Sequence, residues 1–108
     1  MHDTPQESDW KAFRRMVPEL RERYLGRRIP KLLAVLQDES LTPTERFWKV
    51  EERIDKEAKV LRKCLDGHSR SRMFLFIMQM RRSRMLTDED LEPFSDELRE
   101  QIQRASAI

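Results

Sequence analysis

Seven of the eight residues from Met73 to Met80 are apolar, yet this run, MFLFIMQM, belongs to a chain in which 39% of residues are charged. Five arginines fence it: Arg70 and Arg72 before, Arg81, Arg82 and Arg84 after. It falls far short of the ~20 apolar residues that a bilayer-crossing helix requires. Its phenylalanines and isoleucine would tolerate a strand, but no other segment offers a strand to pair with. An isolated strand leaves backbone N–H and C=O groups without partners. Read as a helix, the run is apolar all round. Met73, Ile77 and Met80 share one side, Phe74 and Met78 a second, Leu75 and Phe76 a third. A helix of that kind needs cover on nearly every face. The sequence therefore predicts that it lies at the centre of the domain, with part of its cover coming from a second copy.

The remaining segments also read as helix. Methionine, leucine, glutamate and arginine dominate, and β-branched residues are sparse. Ser8 is the expected first N-cap, after a polar lead-in over residues 1–7. Trp10, Phe13, Val17, Leu20 and Tyr24 then recur at alternating steps of three and four, forming one stripe that keeps its phase across Pro18. A second set, Leu25, Ile29, Leu32, Leu33 and Leu36, is rotated from the first by roughly 120°. One straight helix cannot bury both sets against one neighbour. Gly26 and Pro30 stand where a bend would reconcile them, so residues 9–38 are expected to be a bent helix or two short ones.

The clearest local signal is LTPTE. Thr42 as N-cap, Pro43 at the first helical position and Glu45 at the third make a capping box. The helix it opens, expected over 43–66, carries Phe47, Val50, Ile54, Ala58, Leu61 and Leu65 within an arc of about 80°. Gly67 is placed to end it. Further helices are expected over 70–85 and 88–105, the last interrupted near Pro93 and capped by Thr87 and Ser95. The fold class is all-α: an irregular or bundle-like packing of about four main helices in one domain over 1–108, the third central.

The net charge of +2 imposes no global field, but the charge is unevenly placed. Residues 62–84 hold seven basic side chains and one acidic, while residues 85–108 hold two basic and seven acidic. Arg70, Arg72, Arg81, Arg82 and Arg84 thus form a candidate anion or nucleic-acid patch. The plainer expectation is that the acidic segment 88–100 neutralises it. Cys64 stands alone, which rules out an intrachain disulfide and suits a reducing compartment. The opening MHDTPQESD lacks the basic and apolar regions of a signal peptide. A soluble, cytoplasmic protein is expected. Its general look is that of a small bacterial helical protein.

Other candidates are weaker. Cys64 and His68, four apart, suit a metal-ligand pair or a thiolate with its base, but Gly67 between them would splay them. The carboxylates of EERIDKE (Glu51, Glu52, Asp55, Glu57) lack the Glu-x-x-His partners of a di-iron bundle and read as a solvated face. The methionines read as core filling. Trp48 lies about 100° off its helix stripe and hints at a contact surface. No residue is assigned a catalytic, cofactor or metal role. The expected function is that of a non-enzymatic interaction module forming a homo-oligomer, a dimer first, through Met73, Phe74, Phe76, Ile77, Met80 and Trp48. The alternative is a nucleic-acid or anion-binding regulator using the arginine cluster.

Overall fold

The computed structural model describes residues 5–106, so His2 and the first four residues of the polar lead-in lie outside the described residues. Four α-helices follow in chain order: α1 Glu7–Leu36, α2 Pro43–Leu65, α3 Met73–Arg82 and α4 Asp96–Ser106. Single 3-10 turns at Arg70–Arg72 and Glu89–Leu91 precede α3 and α4. Among the described residues there is no strand, and the fold is all-α. No described helix is long and apolar enough to cross a membrane.

Of the two expectations for the first segment, two short helices are excluded, because the helix runs unbroken. α1 is one 30-residue helix with Pro18 and Pro30 inside it. Both prolines are exposed, so the carbonyls they leave without an N–H partner are near water. Nothing lies within 4 Å of the position a Cβ would take at Gly26, so packing does not require a glycine there. The two rotated stripes are reconciled differently: the first is buried or half-buried and the second is largely left in solvent.

Its N-terminus also departs from expectation. The N-cap is Gln6, which makes no side-chain cap, and Ser8 sits inside the first turn. The residue that matters there is Asp9, only 3% exposed. Its carboxylate accepts hydrogen bonds from Ser95 N and Ser95 Oγ, both at 2.7 Å. Ser95 Oγ in turn accepts from Leu98 N, capping α4 as expected. One carboxylate thereby joins the starts of the first and last helices. Nearby, Arg70 donates to the Pro5 carbonyl and to Glu7, which ties down the described end of the lead-in.

α2 follows its sequence closely. The Thr42–Glu45 capping box is complete in both directions, and Pro43 opens the helix. Gly67, with φ +74°, takes the left-handed position just past Asp66. α1 and α2 form an antiparallel hairpin: Arg46 reaches the Leu36 carbonyl, Glu57 meets Tyr24 and Arg28, and His68 lies against Phe13.

α3 corrects the expectation of a helix covered all round. Met73, Phe76, Ile77 and Met80 are 0–4% exposed and face the core, but Phe74 and Leu75 are exposed. The cover is one-sided because so short a chain supplies core partners for only one face. α3 closes on a Schellman motif: Met85 N bonds the Met80 carbonyl and Arg84 N the Arg81 carbonyl. Arg84 occupies the left-handed position (φ 59°) where glycine is the usual residue. Its neighbours Met80 and Met85 are fully buried, and that contact helps hold the turn.

All of this core lies at one end of the hairpin. Phe13, Leu20 and Tyr24 of α1 and Cys64 of α2 meet α3, Met85, Leu91 and the inner face of α4. No residue between 25 and 59 belongs to it. The far half of the hairpin projects as an arm. The molecule accordingly measures 55 × 26 × 23 Å, and its radius of gyration is 17.0 Å, against about 13 Å for a compact chain of this length.

The buried Asp9–Ser95 link generates a stability prediction. Asp9→Ala leaves two donors behind and should cost about 1–3 kcal/mol in urea unfolding. Ser8→Ala, at the position read from sequence as the cap, should change stability by less than about 0.5 kcal/mol.

Candidate functional site

The arm is where surface and sequence disagree most. Between residues 25 and 59 only Val35 and Val50 are buried. Ile29, Leu33, Leu36, Phe47, Trp48 and Ile54 are 48–61% exposed. Sequence periodicity placed all of these except Trp48 in stripes expected to be buried.

The arm's root and tip are well held. At the root, Tyr24 Oη and Arg28 Nε both donate to Glu57, tying α1 to α2 where the core ends. Burial, the hydrogen bond to Glu57 and its negative charge push the Tyr24 phenol up to about 12. At the tip, Ser40 N and Oγ donate to Asp38, and Arg46 donates to the Leu36 carbonyl. With the capping box, these bonds order the turn between the helices.

The two sets of exposed side chains share one broad face. Tyr24, Arg28 and Val35 mark the side of α1 that meets α2; Arg46, Val50 and Glu57 mark the reciprocal side. At 100° per residue, Ile29, Leu33 and Leu36 lead the first direction by roughly 130° on average. Phe47 and Ile54 lead the second by roughly 70°. Because the helices are both right-handed and run in opposite directions, equal senses of lead turn both sets to the same side of the hairpin. Trp48 lies on the outer edge of α2, its ring packed edge-on against Phe47 at 4.9 Å between centroids.

The residues singled out from sequence fall elsewhere. Of the six expected to form a contact surface, Met73, Phe76, Ile77 and Met80 are enclosed by the chain's own core. Trp48 and Phe74 remain exposed. The arginines of the cluster meet different surroundings. Arg70 pairs with Glu7, Arg81 with Asp88, and Arg72 lies over the Phe76 ring. Arg82 and Arg84 are exposed. The acidic segment thus reaches one of the five, through Asp88. Its Asp90 instead takes a two-pronged ion pair from Arg23 of α1. Burial alone would raise Asp90, but the bonds from Arg23 and from Thr87 outweigh it and hold the carboxyl below its usual range.

Cys64 and His68 do not form a reactive pair. The thiol is fully buried, and that burial raises its pKa. The His68 ring donates to the Cys64 backbone carbonyl at 2.7 Å and is wedged between Phe13 and Phe76. Among the described residues no three potential ligands gather into a metal site. Glu51, Glu52 and Asp55 are exposed, as a solvated face requires, while Glu57 is the half-buried clamp of the arm's root.

Comparison of the chain with family models, curated proteins and solved structures finds no match. The functional reading rests on the geometry of the arm.

Two measurements check the local chemistry. Tyr24 is the only tyrosine, so absorbance at alkaline pH reports it alone. Its midpoint should lie near 12, and Glu57→Gln should lower it. Because the folded pKa is raised, Tyr24 contributes its full stabilisation below about pH 10 and loses it as pH climbs from there towards 12. Cys64 should react with a thiol reagent in the native protein at least about a hundredfold more slowly than in urea, since only the exposed thiolate is a nucleophile.

Proposed function

We propose that this protein is a non-enzymatic helical interaction module that pairs with a second copy of itself through the apolar face of its arm. The observation that supports this most is the concentration of six large exposed side chains in the part of the hairpin that lies beyond the core. With about 200 Å² as the full surface of a large apolar residue, the fractions of the five that share the broad face, leaving out Trp48 at the edge, give roughly 500 Å² of apolar surface on each copy. Isolated soluble proteins rarely carry more than this in one patch. A twofold axis doubles it to about 1,000 Å², the least that a specific interface buries.

The spacing suits the same occupant. Ile29, Leu33 and Leu36 step by four and three, as do Phe47, Val50 and Ile54 by three and four. Two such hairpins laid face to face make a four-helix bundle with side chains interdigitated at each layer. A symmetric pair needs only one patch that complements itself. This relocates the contact expected from sequence: it keeps Trp48 as a flank and replaces the α3 residues with the arm.

Mass in solution tests the reading. Light scattering after size exclusion should give twice the 13.1 kDa of the chain. Leu33→Glu with Ile54→Glu, both at exposed positions, should return the protein to the single-chain mass with unchanged helical circular dichroism. A wild-type protein that stays at 13.1 kDa at millimolar concentration contradicts the proposal.

A further inference from the structure

The opposite broad face of the arm is built of cations. On α2, Lys49, Arg53 and Lys56 recur at steps of four and three, a single helical stripe continued at its N-terminal end by Arg46 at the seam with α1. Relative to the side of α2 that meets α1, this stripe turns the opposite way from Phe47 and Ile54. On α1, Arg27 and Lys31 are displaced in the same sense, so the two stripes share a face. It is the same broad face from which the core and α3 rise nearer the root. Arg27 marks that corner, where it donates to the Arg84 carbonyl.

Within the protein these charges are largely uncompensated. Lys56 pairs with Glu52. Arg27, Lys31, Arg46, Lys49 and Arg53 form no ion pair among the described residues. Four of these five are exposed and Arg46 is half-buried. Asp38, whose charge is felt by Lys49 and Arg46, makes its hydrogen bonds to Ser40 N and Oγ and no ion pair with either cation. Of the acidic residues of α2, Glu57 is taken up by Tyr24 and Arg28 and the others lie towards its outer edge and apolar flank, which is why the near-zero net charge conceals the face. A further exposed cation, Arg84, stands at the corner in a backbone conformation that glycine would adopt more cheaply.

We infer that this face binds the phosphate backbone of nucleic acid, without regard to base sequence. From Arg46 to Lys56 the stripe is about 15 Å long, the axial rise of some four phosphates along one duplex strand. The two stripes lie about 10 Å apart on helices that are already ordered. No aromatic side chain lies on the face to stack bases, and no recognition helix projects from it, so contacts stop at phosphate. Anionic lipid is the poorer fit: the arm's apolar side chains point the other way and have nothing to insert. The site is independent of self-association, because the faces are opposed; pairing through the apolar face leaves both cationic faces outward.

Anisotropy of labelled 20-base-pair DNA and of single-stranded RNA, at 50 and 200 mM salt, provides the test. Binding should weaken about a hundredfold or more between those salts for some four phosphate contacts. The triple variant Lys31→Glu, Lys49→Glu, Arg53→Glu should bind at least tenfold more weakly at 50 mM. A matched variant of the other cluster, Arg70→Glu, Arg72→Glu, Arg82→Glu, should stay within threefold of wild type. No binding at 50 mM, or equal loss in the two variants, overturns the inference. So does displacement of the nucleic acid by anionic vesicles at equal phosphate concentration. A fall in oligomeric mass on charge reversal of the arm would overturn it too, by assigning the cations to the acidic surface of another copy.

Discussion

A 30-residue helix is about 45 Å long, and a core built from the other three helices is much shorter than that. α1 therefore cannot be covered along its length by its own chain. α2, paired antiparallel with it, inherits the same excess. Everything else follows from where the core is placed along this hairpin. α3, α4 and the segment joining them settle on the first two-thirds of α1 and the last third of α2, where Phe13, Leu20, Tyr24 and Cys64 present the matching face. The remainder is left as an arm whose only internal packing is a thin layer containing Val35 and Val50.

An arm with so little buried surface would fray if its two ends were not tied. Glu57 receives Tyr24 and Arg28 at the root, and the Asp38–Ser40 turn, the Thr42–Glu45 box and Arg46 close the tip. Each bond to a charged group is worth about 1.5–3 kcal/mol when buried, less at the exposed tip. These ties hold two faces of opposite character rigidly back to back. One side is apolar; the other is cationic. On the proposed reading these two sides serve as separate contact surfaces.

Much of the fold was legible in the residues. The span of α2 and its capping box depend on local chemistry, which the sequence carries in full. Leu91, Phe94, Leu98 and Ile102 recur at steps of three, four and four, and all four are buried in the structure. The phase change after Tyr24 was equally visible, but its meaning was not. A rotated stripe is resolved either by bending the helix or by leaving the stripe exposed, and only tertiary packing decides between them. The run at Met73–Met80 misled for the same reason: composition shows that every side of α3 is apolar, not which side the chain can cover. Three of the five arginines around that run meet a carboxylate or a ring of their own chain, whereas Arg46, Lys49, Arg53 and Lys56 carried a regular step along one helix. That step was the available signal for the cationic surface.

The central claim is that the arm's apolar face is covered by another copy and not by water. Hydrogen exchange read peptide by peptide, at low and high protein concentration, tests it most directly. The account predicts that amides in residues 29–36 and 47–54 exchange faster on dilution, while those of α3 and α4 do not change. Exchange that is independent of concentration in the arm, or that changes in α3 instead, would contradict it.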